Sequence, residues 1–248
     1  MENQFGLNRT YSGSVPNVTF DAGLRSYMLS IYNLMAVGLV ITGVMAYLFG
    51  TNEQLMASLV SYNPATGRGG LSFLGYVVVF APLAMAFFFG PMVNRLSVNG
   101  GRAVFAAYSA LMGMSLSFIF MVYTDESIAR TFFITAATFA GTSLWGYTTR
   151  RDLTGMGHFM VMGLIGLLVA SVVNLFMHSS AIMFATSVMG VLIFTGLTAW
   201  DTQKLKDAYG AHYGDEANSK MATMGALQLY LDFVNLFLYL LRFMGRRD

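Results

Sequence analysis

Two acidic residues in apolar surroundings are the candidates for chemistry in this chain. Asp232 lies near the middle of an apolar run, 221–245, that is long enough to cross a bilayer. A carboxylate at that depth is costly unless it is paired, hydrated or protonated. Asp201 lies at the end of the preceding apolar run, with Thr198 one turn earlier on the same face. We therefore expect a functional role for Asp232, with a satisfied structural acid as the alternative.

The polar residues of the last apolar run follow the period of a helix. They stand at i, i+4, i+7, i+11 and i+14, and they are Gln228, Asp232, Asn235, Tyr239 and Arg242. On a helix this spacing forms one stripe. Lipid does not tolerate such a stripe, so we expect it to face other helices or a wet cavity. Gln228 and Asn235 are accordingly supporting candidates beside Asp232.

Asp201 and Asp232 are expected to lie close together, because the segment between them returns the chain and makes their helices antiparallel neighbours. Two carboxylates that face one partly buried space repel each other, and one of them tends to hold a proton. Without that proton the pair offers hard oxygen ligands to a cation such as calcium. The alternative for Asp201 is a charge that simply ends its helix in the headgroup region.

The composition indicates an integral membrane protein. Of the 248 residues, 56% are hydrophobic and 10% are charged, whereas soluble domains carry about 25% charged residues. The absence of cysteine excludes disulfides, cysteine–zinc sites and iron–sulfur clusters. The net charge of +2 comes without a basic patch interleaved with aromatic residues, so no nucleic-acid partner is expected. We expect no cofactor.

Seven apolar stretches predict an all-α domain with seven transmembrane helices, over residues 26–245 after a polar N-terminal tail, 1–25. The predicted spans are about 26–50, 71–93, 103–123, 127–149, 157–177, 181–200 and 221–245. Polar loops are expected at 51–70 and 201–220.

The distribution of lysine and arginine favours a cytoplasmic N-terminus. With that orientation nine basic residues lie inside: Arg9, Arg25, Arg95, Arg102, Arg150, Arg151, Lys204, Lys206 and Lys220. Five lie outside: Arg68, Arg130, Arg242, Arg246 and Arg247. The basic C-terminal tail is on the less favoured side, and it would return to the inside only if the last helix did not fully cross.

Two classes of membrane protein with chemistry on their helices are disfavoured. A retinal protein needs a Schiff-base lysine in its last helix, and no lysine follows Lys220. An intramembrane aspartyl protease usually has a Gly-x-Gly-Asp signature, and residues 199–202 read Ala-Trp-Asp-Thr. The sequence does not favour an enzyme.

Two motifs carry a resemblance to a known family. Ala-Trp-Asp-Thr-Gln-Lys-Leu at 199–205 and Leu-Tyr-Leu-Asp-Phe-Val-Asn-Leu-Phe at 229–237 resemble the Bax inhibitor-1 (transmembrane Bax inhibitor motif) family. The short N-terminal tail resembles that of a bacterial member, which implies a bacterial inner membrane. The resemblance implies that the last of seven helices is central and surrounded by the other six.

The resemblance also implies two alternative functions. The first is a pH-sensitive calcium leak with Asp201 and Asp232 as its aspartate dyad, and with Arg95 as the nearest match to an arginine that latches the dyad. The second is a non-conducting regulator of a membrane-bound AAA protease or a stress-survival pathway, with the N-terminal tail as the handle. The sequence leaves the oligomeric state open.

Overall fold

Helices form nearly all of the chain in the computed structural model, which describes residues 18–63 and 68–246. In chain order the described helices are α1 (Val18–Thr51), α2 (Glu53–Leu59), α3 (Phe73–Arg95), α4 (Val98–Leu116), α5 (Asp125–Thr148), α6 (Thr154–Met177), α7 (Ser180–Ala208) and α8 (Gly214–Met244). Short 3₁₀ turns follow α4 at Ser117–Met121 and precede α8 at Ala211–Tyr213.

Short polar side chains fix where several helices begin. The side chains of Ser72, Ser97, Thr124 and Ser179 each accept a hydrogen bond from a backbone N–H in the first turn of α3, α4, α5 and α7. These N–H groups have no partner inside the helix, so a serine or threonine at this position ends the preceding turn and starts the helix.

Six of the described helices are long and apolar enough to cross a membrane: α1, α3, α4 with its 3₁₀ extension, α6, α7 and α8. The prediction of a helical membrane protein is confirmed. The remaining long helix, α5, has Asp125, Glu126 and Arg130 in its first turns and is rich in threonine. The count of seven spans and the central position of the last helix stay predictions.

The structure differs from two predicted boundaries near the N-terminus. Helix α1 begins at Val18, so residues 18–25 are helical and do not belong to a tail; the rest of the predicted tail, 1–17, lies outside the described residues. The predicted polar loop 51–70 contains α2 and an antiparallel hairpin of β1 (Val60–Asn63) and β2 (Arg68–Leu71), in which Val60 pairs with Leu71. Ser72 closes this segment by donating to the Ser58 carbonyl at 2.7 Å.

The predicted loop 201–220 is wrong. Helix α7 continues to Ala208, α8 begins at Gly214, and only 209–213 connects them. Hydropathy marks where a span leaves the lipid, but polar residues such as aspartate, glutamine and lysine remain compatible with a helix beyond that point. The turn itself depends on Gly214, whose φ of +78° is readily adopted by glycine. Asp201 is therefore inside a helix and does not end one.

Helix α8 is the most buried of the six apolar helices. Of the residues in its apolar centre, 67% are buried, against 6% for α6. It contacts α1, α3, α4, α5 and α7, whereas α6 packs mainly on α7. On one side its Tyr230 lies edge-on against Phe105 and Tyr108 of α4, with ring centroids 5.7 and 5.9 Å apart.

Most basic side chains collect where α1, α4, α6 and α8 begin and α3, α5 and α7 end, which we call the basic end. Its members are Arg25, Arg95, Arg102, Arg150, Arg151, Lys204, Lys206 and Lys220. At the other end the C-terminus of α8 meets the turn between α4 and α5. There the Arg246 N–H donates to Ser127 Oγ at 2.8 Å, and the Thr124 N–H donates to the Arg246 carbonyl at 3.2 Å.

Candidate functional site

Asp201 on α7 and Asp232 on α8 form a buried carboxyl pair. Each residue is only 5% exposed, and their side chains lie within hydrogen-bonding reach of each other. Two carboxyl groups in direct contact need a proton between them to form a hydrogen bond. The two acids singled out in the sequence therefore share one place in the structure, although 30 residues separate them in the chain.

Three residues of the polar stripe of α8 face α7, namely Gln228, Asp232 and Tyr239, and the two helices run antiparallel. At one level Asp232 faces Asp201. Farther along α8 the Tyr239 ring stacks on Phe194 with centroids 5.7 Å apart. The same ring lies against Gly190, where an added Cβ would collide with it. A glycine at 190 thus lets the stripe approach the α7 backbone, and the packing that results holds Asp232 against Asp201.

One oxygen of each carboxyl lacks a hydrogen bond. Asp201 Oδ1 and Asp232 Oδ2 are both buried, and neither has a hydrogen-bond partner among the described residues. Buried polar oxygens without partners are costly, and such atoms commonly contact water or an ion. The pair can therefore exchange a proton, bind water or contact a cation.

Lys204 is the cation that the structure places at the pair. Its Nζ lies 4.0 Å from Asp201 Oδ1 and 5.1 Å from the centroid of the Trp200 ring. The Lys204 side chain is 52% exposed while that of Asp201 is 7% exposed. The Lys204 ammonium therefore lies between the buried pair and the exposed surface of the basic end. Sequence reasoning missed Lys204 because residues 201–220 were expected to form a loop. The i, i+3 spacing from Asp201 on a continuing helix is the signal that would have found it.

Arg95 does not reach the pair. It is an exposed residue in the last turn of α3, and within 18–63 and 68–246 it forms no ion pair. Its neighbour Asn94 accepts a hydrogen bond from Lys220 Nζ at 3.5 Å. Lys220 is twelve residues before Asp232 on α8, or roughly 18 Å along the helix. The basic residue beside the pair is Lys204 and not the expected Arg95.

Of the other supporting candidates, the structure brings only Gln228 to the pair, where its side chain is within hydrogen-bonding reach of Asp201. Thr198 is fully buried and donates to the Phe194 carbonyl at 2.7 Å. Asn235 Nδ2 donates to the Leu231 carbonyl of its own helix at 2.8 Å.

Thr202 connects the pair's helix to two others through hydroxyl groups. Its Oγ1 donates to the Thr198 carbonyl at 2.7 Å, so it accepts from Ser143 Oγ, 2.8 Å away on α5. Ser143 in turn lies 2.6 Å from the Tyr32 hydroxyl on α1. The chain of hydroxyls ends on a backbone carbonyl and not on Asp201, so it fixes helix positions and does not lead a proton to the pair.

Gln203 connects α7 to the turn between α5 and α6. Its Nε2 donates to the Arg151 carbonyl and its Oε1 accepts from the Leu153 N–H, both at 2.8 Å. Asp201, Thr202 and Gln203 are consecutive, yet they contact α8, α5 and the α5–α6 turn respectively. In the sequence this tripeptide is part of the motif that carries the family resemblance, but no role was predicted for Thr202 or Gln203.

The pair offers only oxygen atoms to a metal. Two carboxyl groups and the Gln228 amide are hard ligands of the kind that calcium prefers. In the described part of the chain no group of three or more histidine, cysteine, aspartate or glutamate side chains is placed to hold a metal ion. The pair is therefore at most a partial coordination shell.

A helical membrane protein with a carboxyl pair buried between its last two helices is the class that this fold and site define. Comparison with known proteins then gives the family. Residues 24–248 match the family described as "Inhibitor of apoptosis-promoting Bax1", and the chain belongs to this Bax inhibitor-1 family. The predicted family is confirmed.

Several bacterial proteins are similar over nearly their full length. A protein of Rickettsia prowazekii is 46% identical, over 96% of this chain and 97% of its own. The inner membrane protein YbhL of Escherichia coli is 44% identical, over 91% of this chain and 94% of its own. A membrane protein of Streptococcus pyogenes is 36% identical, over 92% of this chain and 96% of its own. These descriptions agree with a membrane location.

Proposed function

We propose that this protein is a cation leak of the bacterial inner membrane, with Asp201 and Asp232 as its proton-sensitive gate and calcium as its cargo. One observation carries the proposal: two carboxyl groups meet at a buried position, and each keeps an oxygen without a hydrogen bond. A purely structural acid in a membrane would be expected to have all of its oxygens satisfied.

The gate follows from the charge of the pair. With one shared proton, a hydrogen bond joins the two carboxyl groups and holds α7 against α8. When that proton leaves, two like charges repel each other at short range, and this repulsion favours separation and entry of water. Flux should therefore rise as the pH rises. Lys204 moderates the repulsion, because its ammonium lies 4.0 Å from Asp201 Oδ1.

The ligand set suits an ion that passes through. Calcium takes six to eight oxygen ligands, and the two carboxyl groups with the Gln228 amide offer at most five oxygen atoms, so they do not complete its shell. Water has to supply the others, which favours a weakly held ion over a resident one. Asp201 and Asp232 are thus proposed as the contacts of calcium on its path.

For the topology we propose seven spans with α8 in the centre and the N-terminus in the cytoplasm. Two observations support a last helix that crosses fully: α8 has 31 residues, and its C-terminus contacts the α4–α5 turn, away from the basic end. The collection of arginine and lysine at the basic end supports a cytoplasmic location for that end.

A second candidate is a non-conducting regulator that binds a membrane-bound AAA protease or acts in stress survival. The packing beyond the pair favours it, because Leu236 and Leu241 of α8 are 0% and 1% exposed and fill the core toward the opposite end. Of the N-terminal tail proposed as the handle, 1–25, residues 1–17 lie outside the described residues. Deletion of residues 2–18 tests the handle: lost protease binding with intact ion flux would separate the two functions, whereas protease binding by a wild type that shows no flux would support the non-conducting regulator.

The test of the leak is calcium flux into proteoliposomes from about pH 5 to about pH 8. Wild-type flux should increase with pH, by at most about tenfold per unit because one proton titrates. Asp201→Asn and Asp232→Asn should flatten this dependence. Asp207→Asn is the matched control, since Asp207 is an exposed acid on the same helix. Absence of flux from folded wild type, or a pH dependence that survives both substitutions at the pair, would reject the gate.

A further inference from the structure

The exposed face of α1 carries polar side chains, although a helix face in contact with lipid is usually apolar. Ser26, Ser30 and Asn33 stand at i, i+4 and i+7, and therefore lie on one face. Ser26 and Asn33 are exposed and Ser30 is half-buried. All three lie within the apolar span of α1, which begins at Ala22. We call these three residues the polar strip.

The side chains of the polar strip have no hydrogen-bond partner among the described residues. Elsewhere in the spans, hydroxyl groups such as those of Ser109 and Thr198 donate to the carbonyl four residues earlier. In a membrane an unsatisfied polar group is costly. The polar strip therefore has donors left for something outside the chain.

Two arginines lie beside the polar strip. Arg25 on α1 and Arg102 in the early part of α4 line the same open cavity of about 710 Å³ as the strip. Both are exposed, and neither forms an ion pair within the described ranges. The volume is within the range of about 300–1,000 Å³ that is usual for small-molecule sites. Leu34 and Val37 are apolar members of the lining and follow Asn33 along α1.

We propose that this cavity binds the headgroup of an anionic phospholipid. The phosphate is held between the Arg25 and Arg102 guanidinium groups, whose planar N–H arrays match its oxygens. Ser26 and Ser30 donate to the same headgroup. Basic pockets between helices at the end of a membrane protein are suited to anionic lipid.

The depth of the polar strip distinguishes a lipid from free phosphate. Asn33 is eight residues past Arg25, or about 12 Å farther along α1 toward the bilayer centre. An inorganic phosphate held by the arginines cannot reach its amide. A phospholipid can, because its ester carbonyls lie below the phosphate, and its acyl chains then continue over Leu34 and Val37.

The proposal is tested by native mass spectrometry of the full chain released from bilayer nanodiscs of equimolar phosphatidylglycerol and phosphatidylcholine. Wild type should retain phosphatidylglycerol preferentially. Arg25→Gln and Arg102→Gln should each lower this preference by roughly fivefold, the effect of one basic residue near an anionic surface. Arg150→Gln removes the same charge from an exposed position at the same end, outside the cavity, and should leave the preference unchanged.

A second variant tests the lipid itself. Asn33→Leu places an apolar side chain on a lipid-facing helix, so it should fold as well as wild type. It should lower retention of phosphatidylglycerol by about threefold, as expected for one hydrogen bond lost in a membrane. Inorganic phosphate, added in competition, should not displace the lipid.

Three results would overturn the proposal. Equal retention of the two lipids by wild type would remove the site. An equal loss of the preference for phosphatidylglycerol in Arg150→Gln would mean that the preference comes from the overall charge of the basic end and not from the cavity. Displacement of phosphatidylglycerol by inorganic phosphate, together with unchanged retention of the lipid in Asn33→Leu, would mean that the two arginines bind a free anion.

Discussion

Helices α6 and α8 are both long enough to cross a bilayer, but α6 leaves most of its side chains exposed whereas α8 buries most of those in its apolar centre. In the apolar centre of α6 only 6% of the residues are buried, against 67% in α8. The more apolar helix, α6, is exposed, whereas the helix that carries Gln228, Asp232 and Asn235 packs against protein. In a membrane the helix with more polar residues is the interior one, because lipid solvates apolar groups as well as a protein core does.

The largest effect should come from removing a packed side chain of α8. Leu236 is 0% exposed, so Leu236→Ala leaves a cavity and should lower the free energy of unfolding by about 3 kcal/mol. Leu168 of α6 is 56% exposed, and Leu168→Ala should change it by less than about 0.5 kcal/mol. Thermal unfolding of the two variants in the same detergent measures the difference. Equal losses would mean that α8 is no more interior than α6.

A smaller effect is expected from one hydrogen bond of α8. The Tyr230 hydroxyl lies 2.6 Å from Thr42 Oγ1, which itself donates to the Ser109 carbonyl at 2.9 Å. Tyr230→Phe removes the hydroxyl that links α8 to Thr42 of α1 and should cost about 1 kcal/mol. In α6, Ser171 donates within its own helix at 2.8 Å, and Ser171→Ala should be near neutral. A larger loss for the α6 variant in the same unfolding assay would contradict this difference between the helices.

The period of polar residues in α8 was the most informative signal in the sequence. Gln228, Asp232 and Tyr239 do face α7, because a stripe of this spacing on a membrane helix has to be covered by protein. The pairing of Asp201 with Asp232 followed from that stripe together with the antiparallel return of the chain.

The end of α7 could not be predicted from the sequence, and the contacts that were missed follow from this. A polar segment after an apolar one has the same composition whether it is a loop or the end of a helix. The expectation of a loop at 201–220 hid Lys204 from the pair and left Gln203 without its contacts to Arg151 and Leu153. Arg95 illustrates the same limit, since closeness to a boundary in sequence did not bring it to the pair.

The central claim is that Asp201 and Asp232 share one proton, and infrared difference spectroscopy of carboxyl groups measures this most directly. In the reconstituted protein, a protonated-carboxyl band should be present at neutral pH and should disappear as the pH rises. It should be lost in Asp232→Asn, because the remaining Asp201 carboxylate lies beside Lys204, and it should shift in Asp201→Asn, where the buried Asp232 keeps a proton without a carboxyl partner. Asp207→Asn should keep the band unchanged. A wild-type spectrum without the band, or a band that remains in both variants of the pair, would contradict the shared proton.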